Sequence, residues 1–501
     1  MYQEGIGIIK NADLAIEWYQ KAAAQNNIQA EYLLGNTYQL GIGVTRNINT
    51  AISWYKKAAK LGDPLSQTAL AFIYEADDET HKNFAKAESL YLSAAKKGNP
   101  VAAYNLGLMY QYGKGVKQDL ISAYHWQLAA AKKNLPDAQF SLALMYQDGI
   151  GIKKANDKAL YWLEKAAAGG NAYAQYEMGV LNEAGLNMPI NYANAFHYYK
   201  QSVDNGYSSL SKGKMRAELA LARLYDAGKG VPVDKAMAAY YYQIAADNGN
   251  LYAQYQLAQK YERGDGVTPD VGKAITLYKT VAEKGNANVQ YKLATFYLDG
   301  KLVPKHTKTA LYWLNKAAAQ NNEKAEYILA QLYFNGKEVA KNDAKAAELF
   351  EKAASQGNVS AQHTLAKMYA TGQGVSIDYN KSTAWHIKAA SGGNKDAQAK
   401  IAMMYETGIG VAQDFHAAFD WYLKAAQQGD ASAQYHVGYM YLNGIGTSQN
   451  YEKAFYWMNS AYLKGNALAK PQLALMYKNG YGVKQDLNKA YELYANEVAE
   501  K

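Results

Sequence analysis

Three groups of residues in this 501-residue chain are of types that do chemistry. The first is the eight histidines, among which His416 and His436 lie closest to forming a pair with metal-binding potential. A zinc site needs three or four ligands and no HExxH occurs, so with no third ligand beside the pair we expect no metal. The second is the acidic run Asp77-Asp78-Glu79. Acid–base catalysis needs carboxylates facing each other across a cleft, and a contiguous run reads instead as a solvated loop. The third is the set of Gly-x-Gly sequences, such as Gly408-Ile409-Gly410, which resemble phosphate cradles. A dinucleotide loop must leave a strand and open a βαβ unit, and a P-loop must continue into Gly-Lys-Ser/Thr; neither condition is met. The absence of cysteine removes thiolate zinc sites, disulfides and a cysteine nucleophile. The reading is of a protein that is not an enzyme and has no cofactor.

The glycine loops make sense only as punctuation. They open at Gly5, Gly41, Asp77 (degenerate), Gly113, Gly149, Gly185, Gly228, Gly264, Gly300, Gly336, Gly372, Gly408, Gly444 and Gly480, and every interval but one is 36 residues. Six residues after most openings stands an Asn or Asp, such as Asp119, Asp378 or Asp414, suited to cap a helix start. That helix, B, carries Ala418, Trp421, Tyr422, Ala425 and Ala426 at helical spacing and stops at Gly429; the equivalent stops are Gly62, Gly98, Asn134 and Gly249. A second helix, A, follows with Ala433, Val437, Gly438, Met440 and Tyr441 and runs into the next loop. Such a hairpin buries its apolar faces only by stacking on its neighbours. All eight tryptophans fall in one column, thirteen residues after the loop start, which Tyr198 and Tyr241 fill elsewhere, so the column is read as a packing position.

The pattern from Ala102 through Leu106-Gly107 to Gly113-Lys114-Gly115-Val116, continued by D-x-x-x-A-x-x-W and K-A-A-x-x-G, resembles the Sel-one-like repeat, a relative of the tetratricopeptide repeat. The resemblance covers nearly the whole chain. It implies an all-α fold, a right-handed α/α superhelical solenoid of about 13 helical hairpins with the 36-residue period. It also implies an interaction scaffold of the kind found in bacterial periplasmic or secreted proteins, including enhanced-entry factors, that meet host cells or cell-wall enzymes. On that basis the expected setting is periplasmic or secreted, with a role in virulence, and the expected partner is a protein, either a cell-wall enzyme or a host protein. The chain opens in mid-repeat, where a signal peptide would not be visible. The expected organisation is residues 1–204 as N-terminal repeats, an insertion at 205–212 that could kink the array, and residues 213–501 as C-terminal repeats ending in a capping helix.

The net charge of +9 arises from 49 lysines and four arginines dispersed among acids, unlike the clustered arginines of nucleic-acid readers, so no nucleic-acid partner is expected. No apolar run of membrane-spanning length occurs, and a monomer is expected. What varies between repeats is one stripe of helix A: the positions twelve, eight, five and one before each loop, which share a helical face away from the stacking residues. In tetratricopeptide-like superhelices, helix A lines the concave surface. The five-before column runs from apolar residues through a polar middle to a second apolar block. Solvent-facing apolar rows of this kind mark interaction surfaces. The candidate partner-binding residues are Phe72, Leu108, Tyr112, Leu144, Tyr173 and Val180 in the first block and Met403, His436, Tyr439 and Leu475 in the second. The alternatives are that the row packs between repeats, or that the tyrosine-bordered groove binds glycan or peptidoglycan.

Overall fold

The computed structural model describes residues 11–76, 80–186, 188–205 and 212–498. Within them the regular structure is helical: 27 helices, numbered α1 (Ala12–Ala23) to α27 (Leu487–Val498) in chain order. Even-numbered helices are copies of helix A and odd-numbered ones of helix B. From α2 (Ile28–Leu40) onward they form thirteen A–B hairpins, with α1 standing before them as a single helix B. The repeats form an all-helical solenoid. The helices fall into two compact units, residues 1–270 and 271–501. The insertion expected at 205–212 falls largely outside the described residues, as does the acidic run Asp77–Glu79.

One repeat shows why the chain folds this way. The Asp430 carboxylate accepts a bond from the Ala433 N–H at 2.7 Å and starts α24 (Ala431–Asn443). Gly444, at φ 69°, ends it in the left-handed conformation. The Asn450 N–H then donates to the Tyr441 carbonyl at 2.9 Å, folding the loop back, and its side chain caps α25 (Tyr451–Leu463) through the Lys453 N–H. The caps read from sequence at Asp119, Asp378 and Asp414 are made in the same way. Asn134 does end its helix at positive φ, as do Asn26 and Asn321.

The glycine loop also does something that its turn chemistry does not reveal. Its second glycine lies against the helix-B start of the preceding repeat: a Cβ at Gly446 would collide with the Phe415 carbonyl, and one at Gly151 with the Leu120 carbonyl. The loop is therefore a close backbone contact between repeats, already filled by protein. Helix A is likewise indented where helix B presses on it, since a Cβ at Gly179 would lie 2.5 Å from the Tyr199 ring.

Beside the alanine and leucine core runs a buried polar row. Gln139, Gln175, Gln290, Gln362, Gln398 and Gln434 each donate from Nε2 to the carbonyl eight residues earlier, at 2.8–3.2 Å. In three cases the amide oxygen is also used, accepting from Asn205 at 3.2 Å, from Gln320 at 2.8 Å and from Gln428 at 2.9 Å, at or just past the end of the following helix B. Each bond satisfies a polar group that burial would otherwise penalise. Three repeats place a glutamate in this row: Glu31, Glu218 and Glu326, all buried, each with one carboxylate oxygen lacking a hydrogen-bond partner.

The tryptophan column fills the core less than its composition suggests. Trp313 is buried, but Trp18 is 56% exposed and the other six are half-buried at the rim. Lysine ammonium groups stand over several of these rings, 4.0 Å from Trp54 and 3.9 Å from Trp421, so these two half-buried indoles meet a cation on their exposed side. At Trp18, where Lys21 stands 4.8 Å away, the packing reading fails: the ring lies on the surface.

Candidate functional site

Helix A turns its stacking face inward because alanine, leucine and methionine recur there at helical spacing, and the four remaining positions per repeat are left facing outward. Every described member of the five-before column is half-buried or exposed, from Asn36 to Leu475, while the next column along is buried at Met109, Met145, Met368, Met440 and Met476. A rotation of one residue separates the two, as the helical period requires.

In the first unit, Phe72 on α4 (Pro64–Glu75) is 58% exposed and Tyr112, the last residue of α6 (Pro100–Tyr112), is 71% exposed. Leu108 on α6, Leu144 on α8 (Pro136–Asp148) and Tyr173 and Val180 on α10 (Ala172–Ala184) are half-buried. The structure brings Leu144 and Val180 together in one cleft of about 370 Å³, floored by Leu160, Leu163 and Leu181. Gln147, Lys154 and Glu177 edge it, and burial holds the Glu177 carboxyl above its ordinary pKa, with nearby Arg216 opposing. Tyr173 stacks on Phe140 of the preceding helix A, with ring centres 5.8 Å apart. The apolar row thus has two forms, projecting rings at Phe72 and Tyr112 and a receiving cleft at Leu144 and Val180.

In the second unit, Met403 on α22 (Lys395–Thr407), Tyr439 on α24 and Leu475 on α26 (Ala469–Asn479) are each about a third exposed. His436 is tied down. Its ring lies flat on Tyr422, 4.5 Å away and 1° from parallel, and its Nδ1 is 3.7 Å from a Glu406 oxygen that also accepts the Tyr422 O–H at 2.8 Å. Burial lowers the His436 pKa, with Glu406 and Asp430 opposing. Tyr435 completes the cluster, its ring 5.4 Å from His436 and 6.2 Å from Tyr439. Its aromatic contacts bind His436 to the hairpin packing, with only its edge on the outer face. His416 is exposed and lies on the preceding helix B, α23 (Phe415–Gln427).

The sequence reading missed the bond from a helix-B tyrosine to an acid two residues before the loop. It recurs as Tyr91 to Glu75, Tyr199 to Glu183 and Tyr422 to Glu406, at 2.7–2.8 Å. The signal was available, since donor and acceptor are always 16 residues apart. The glutamine row was missed too, although Gln stands ten residues before the loop in eight of the thirteen helix A copies, as at Gln434.

Comparison with known proteins accords with this geometry. The Sel1 repeat model matches fourteen tandem stretches: 1–27, then successive copies from 28–63 to 172–207, from 216–250 to 431–466, and finally 472–495. Among solved structures, c5321, a protective antigen present in uropathogenic Escherichia coli strains and displaying an SLR fold, is 32% identical. That match covers 88% of this chain and 93% of c5321, with a TM-score of 0.69. A Sel1 repeat protein from Oxalobacter formigenes is 30% identical over 63% of this chain and 90% of its own, with a TM-score of 0.52. A search of curated proteins gave no match.

Proposed function

The chain belongs to the Sel1 repeat family, a family of non-catalytic interaction scaffolds, and on that premise we propose that it binds a protein partner along the outer face of its A helices. The observation that carries this reading is the five-before column, which stays at the surface in every described repeat and is apolar in a block within each unit. Phe72 and Tyr112 are large rings more than half exposed to water, and such residues supply much of the contact energy in protein interfaces. The cleft at Leu144 and Val180 offers a seat for an apolar side chain of the partner. No described helix is long and apolar enough to cross a membrane. We further propose a bacterial setting outside the cytoplasm, in host contact or in control of a cell-wall enzyme. The similarity to a protective antigen of a pathogen supports this placement.

The test uses the purified chain as bait, with cross-linking to identify the partner and titration to measure it. Phe72→Asp with Tyr112→Asp, and separately Met403→Asp with Tyr439→Asp, should weaken partner binding at least tenfold while melting stays within a few degrees of wild type. Unchanged affinity in both double variants would refute the assignment of the face. Saturable binding of muropeptides, lost in the same variants, would replace a protein partner with a cell-wall glycan.

A further inference from the structure

In several hairpins an aromatic residue nine before the loop meets an aromatic residue of helix B, 23 residues further on. The pairs include Tyr32 with Tyr55, Tyr176 with Tyr199, and Tyr327 with Phe350, with ring centres 5.8–6.0 Å apart. One hairpin of the second unit puts histidine at both places. His363 on α20 (Val359–Thr371) meets His386 on α21 (Tyr379–Ser391) edge to face at 5.6 Å. Both rings are buried, at 8% and 2% exposure. Neither nitrogen of His363 has a hydrogen-bond partner. His386 Nδ1 lies 3.0 Å from the Ser382 carbonyl, to which its N–H donates, leaving Nε2 as the nitrogen that would take a proton. The acid that receives the helix-B tyrosine in other repeats is here Ala370, so the carboxylate found at that corner of other hairpins is missing. The charges acting on the rings are Lys367 of α20 and Asp396 and Lys400 of α22, and α19 (Asp343–Ser355) supplies none of them.

We propose that the His363–His386 pair is an acid-sensitive latch, which as two neutral rings seals α20 against α21 and on taking up a proton opens this hairpin ahead of its neighbours. A neutral imidazole replaces an aromatic ring at little cost, and an imidazolium in the same slot is a buried cation without a partner. Burial lowers both histidine pKa values, that of His386 to about 4; Lys367 acts in the same direction on both and Lys400 on His386, while Asp396 opposes at His363 and the Ser382 carbonyl at His386. A native pKa below the unfolded one gives stability that is present above the unfolded value and lost as pH falls toward the native one. The window is therefore mildly acidic, between the ordinary 6.5 and about 4. Solenoid repeats are held only by adjacent repeats, so opening one hairpin interrupts the array at that point.

Hydrogen exchange on peptides spanning 359–391, corrected for the intrinsic pH dependence, tests this. From pH 7 to pH 5 the opening constant of this hairpin in the wild-type chain should rise roughly twentyfold from His386 alone, by proton linkage. His363→Tyr with His386→Phe, which copies the Tyr327–Phe350 pair, should reduce that rise to less than threefold. Equal pH profiles in wild type and variant would overturn the proposal. If the double variant does not fold, an NMR titration of the wild-type imidazoles decides: midpoints well below 6 sustain the latch, and midpoints at or above 6.5 overturn it.

Discussion

Replacing Glu326 by Gln should stabilise the protein at neutral pH, and the repeats supply the reason. Glu326 occupies the buried glutamine row with no surface exposure. One of its oxygens accepts from Gln356 Nε2 at 2.6 Å and the other has no partner. The amides at Gln290 and Gln398 make the same contact to the following helix B, at 2.8 and 2.9 Å, and also donate to a main-chain carbonyl eight residues back, at 2.8 and 3.0 Å. An ionised carboxylate has no proton for that second bond. Burial accordingly raises the Glu326 pKa, with Lys352 opposing. A raised native pKa means that the contribution to stability is fully present below 4.5 and is lost as pH rises. Glu326→Gln restores the missing donor and removes a buried charge, a gain of about 1–2 kcal/mol from the cost of an unmade buried hydrogen bond. In hydrogen exchange of α18 (Glu323–Asn335), that gain would slow opening by roughly five- to thirtyfold at pH 7. At pH 4, where the native carboxyl already carries a proton, the difference should shrink below threefold. A substitution that leaves opening unchanged at pH 7, or slows it equally at both pH values, would refute the reasoning.

Four further outcomes follow from the same geometry. Gly446→Ala should cost more than about 3 kcal/mol in denaturant melts, because the collision with the Phe415 carbonyl adds to the left-handed penalty. Gly465→Ala, at φ 83° with nothing within 4 Å, should cost only about 1 kcal/mol. Tyr422→Phe should cost about 1–2 kcal/mol through loss of the bond to Glu406, measured by thermal melting at pH 7, and should leave partner affinity nearly unchanged. Leu144→Asp should reduce partner binding at least tenfold, with a melting loss larger than that of Tyr112→Asp, since Leu144 is half-buried and Tyr112 is not.

Much of the architecture was legible because capping residues announce themselves by type. Asp414 and Gly444 can each do few things well, so their spacing declared helix starts and stops. The outward column was legible for the converse reason: positions that tolerate Phe72, Arg223 and Lys367 alike are not making a shared contact. The glutamine row stayed hidden because a polar residue on an amphipathic helix ordinarily faces water, and only the Ala426 carbonyl near the end of the previous helix B reveals the inward turn of Gln434. His436 was read as surface from its column, but the flat contact with Tyr422 depends on the approach of a second helix, which spacing along one helix does not encode. The second glycine was misread as turn chemistry alone. Its real constraint lies 31 residues away, at Phe415.

That backbone contact has a consequence for how such a chain can lengthen. Because Gly446 seats on the helix start of the repeat before it, each junction is defined by two neighbouring copies and by nothing further off. Inserting or removing a whole 36-residue module within a unit regenerates an equivalent junction at both cut ends, so the number of modules is free to drift by duplication and loss. A single-residue insertion between Phe415 and Gly446 lacks that freedom, for it would shift the loop off its seat and misalign two modules at once.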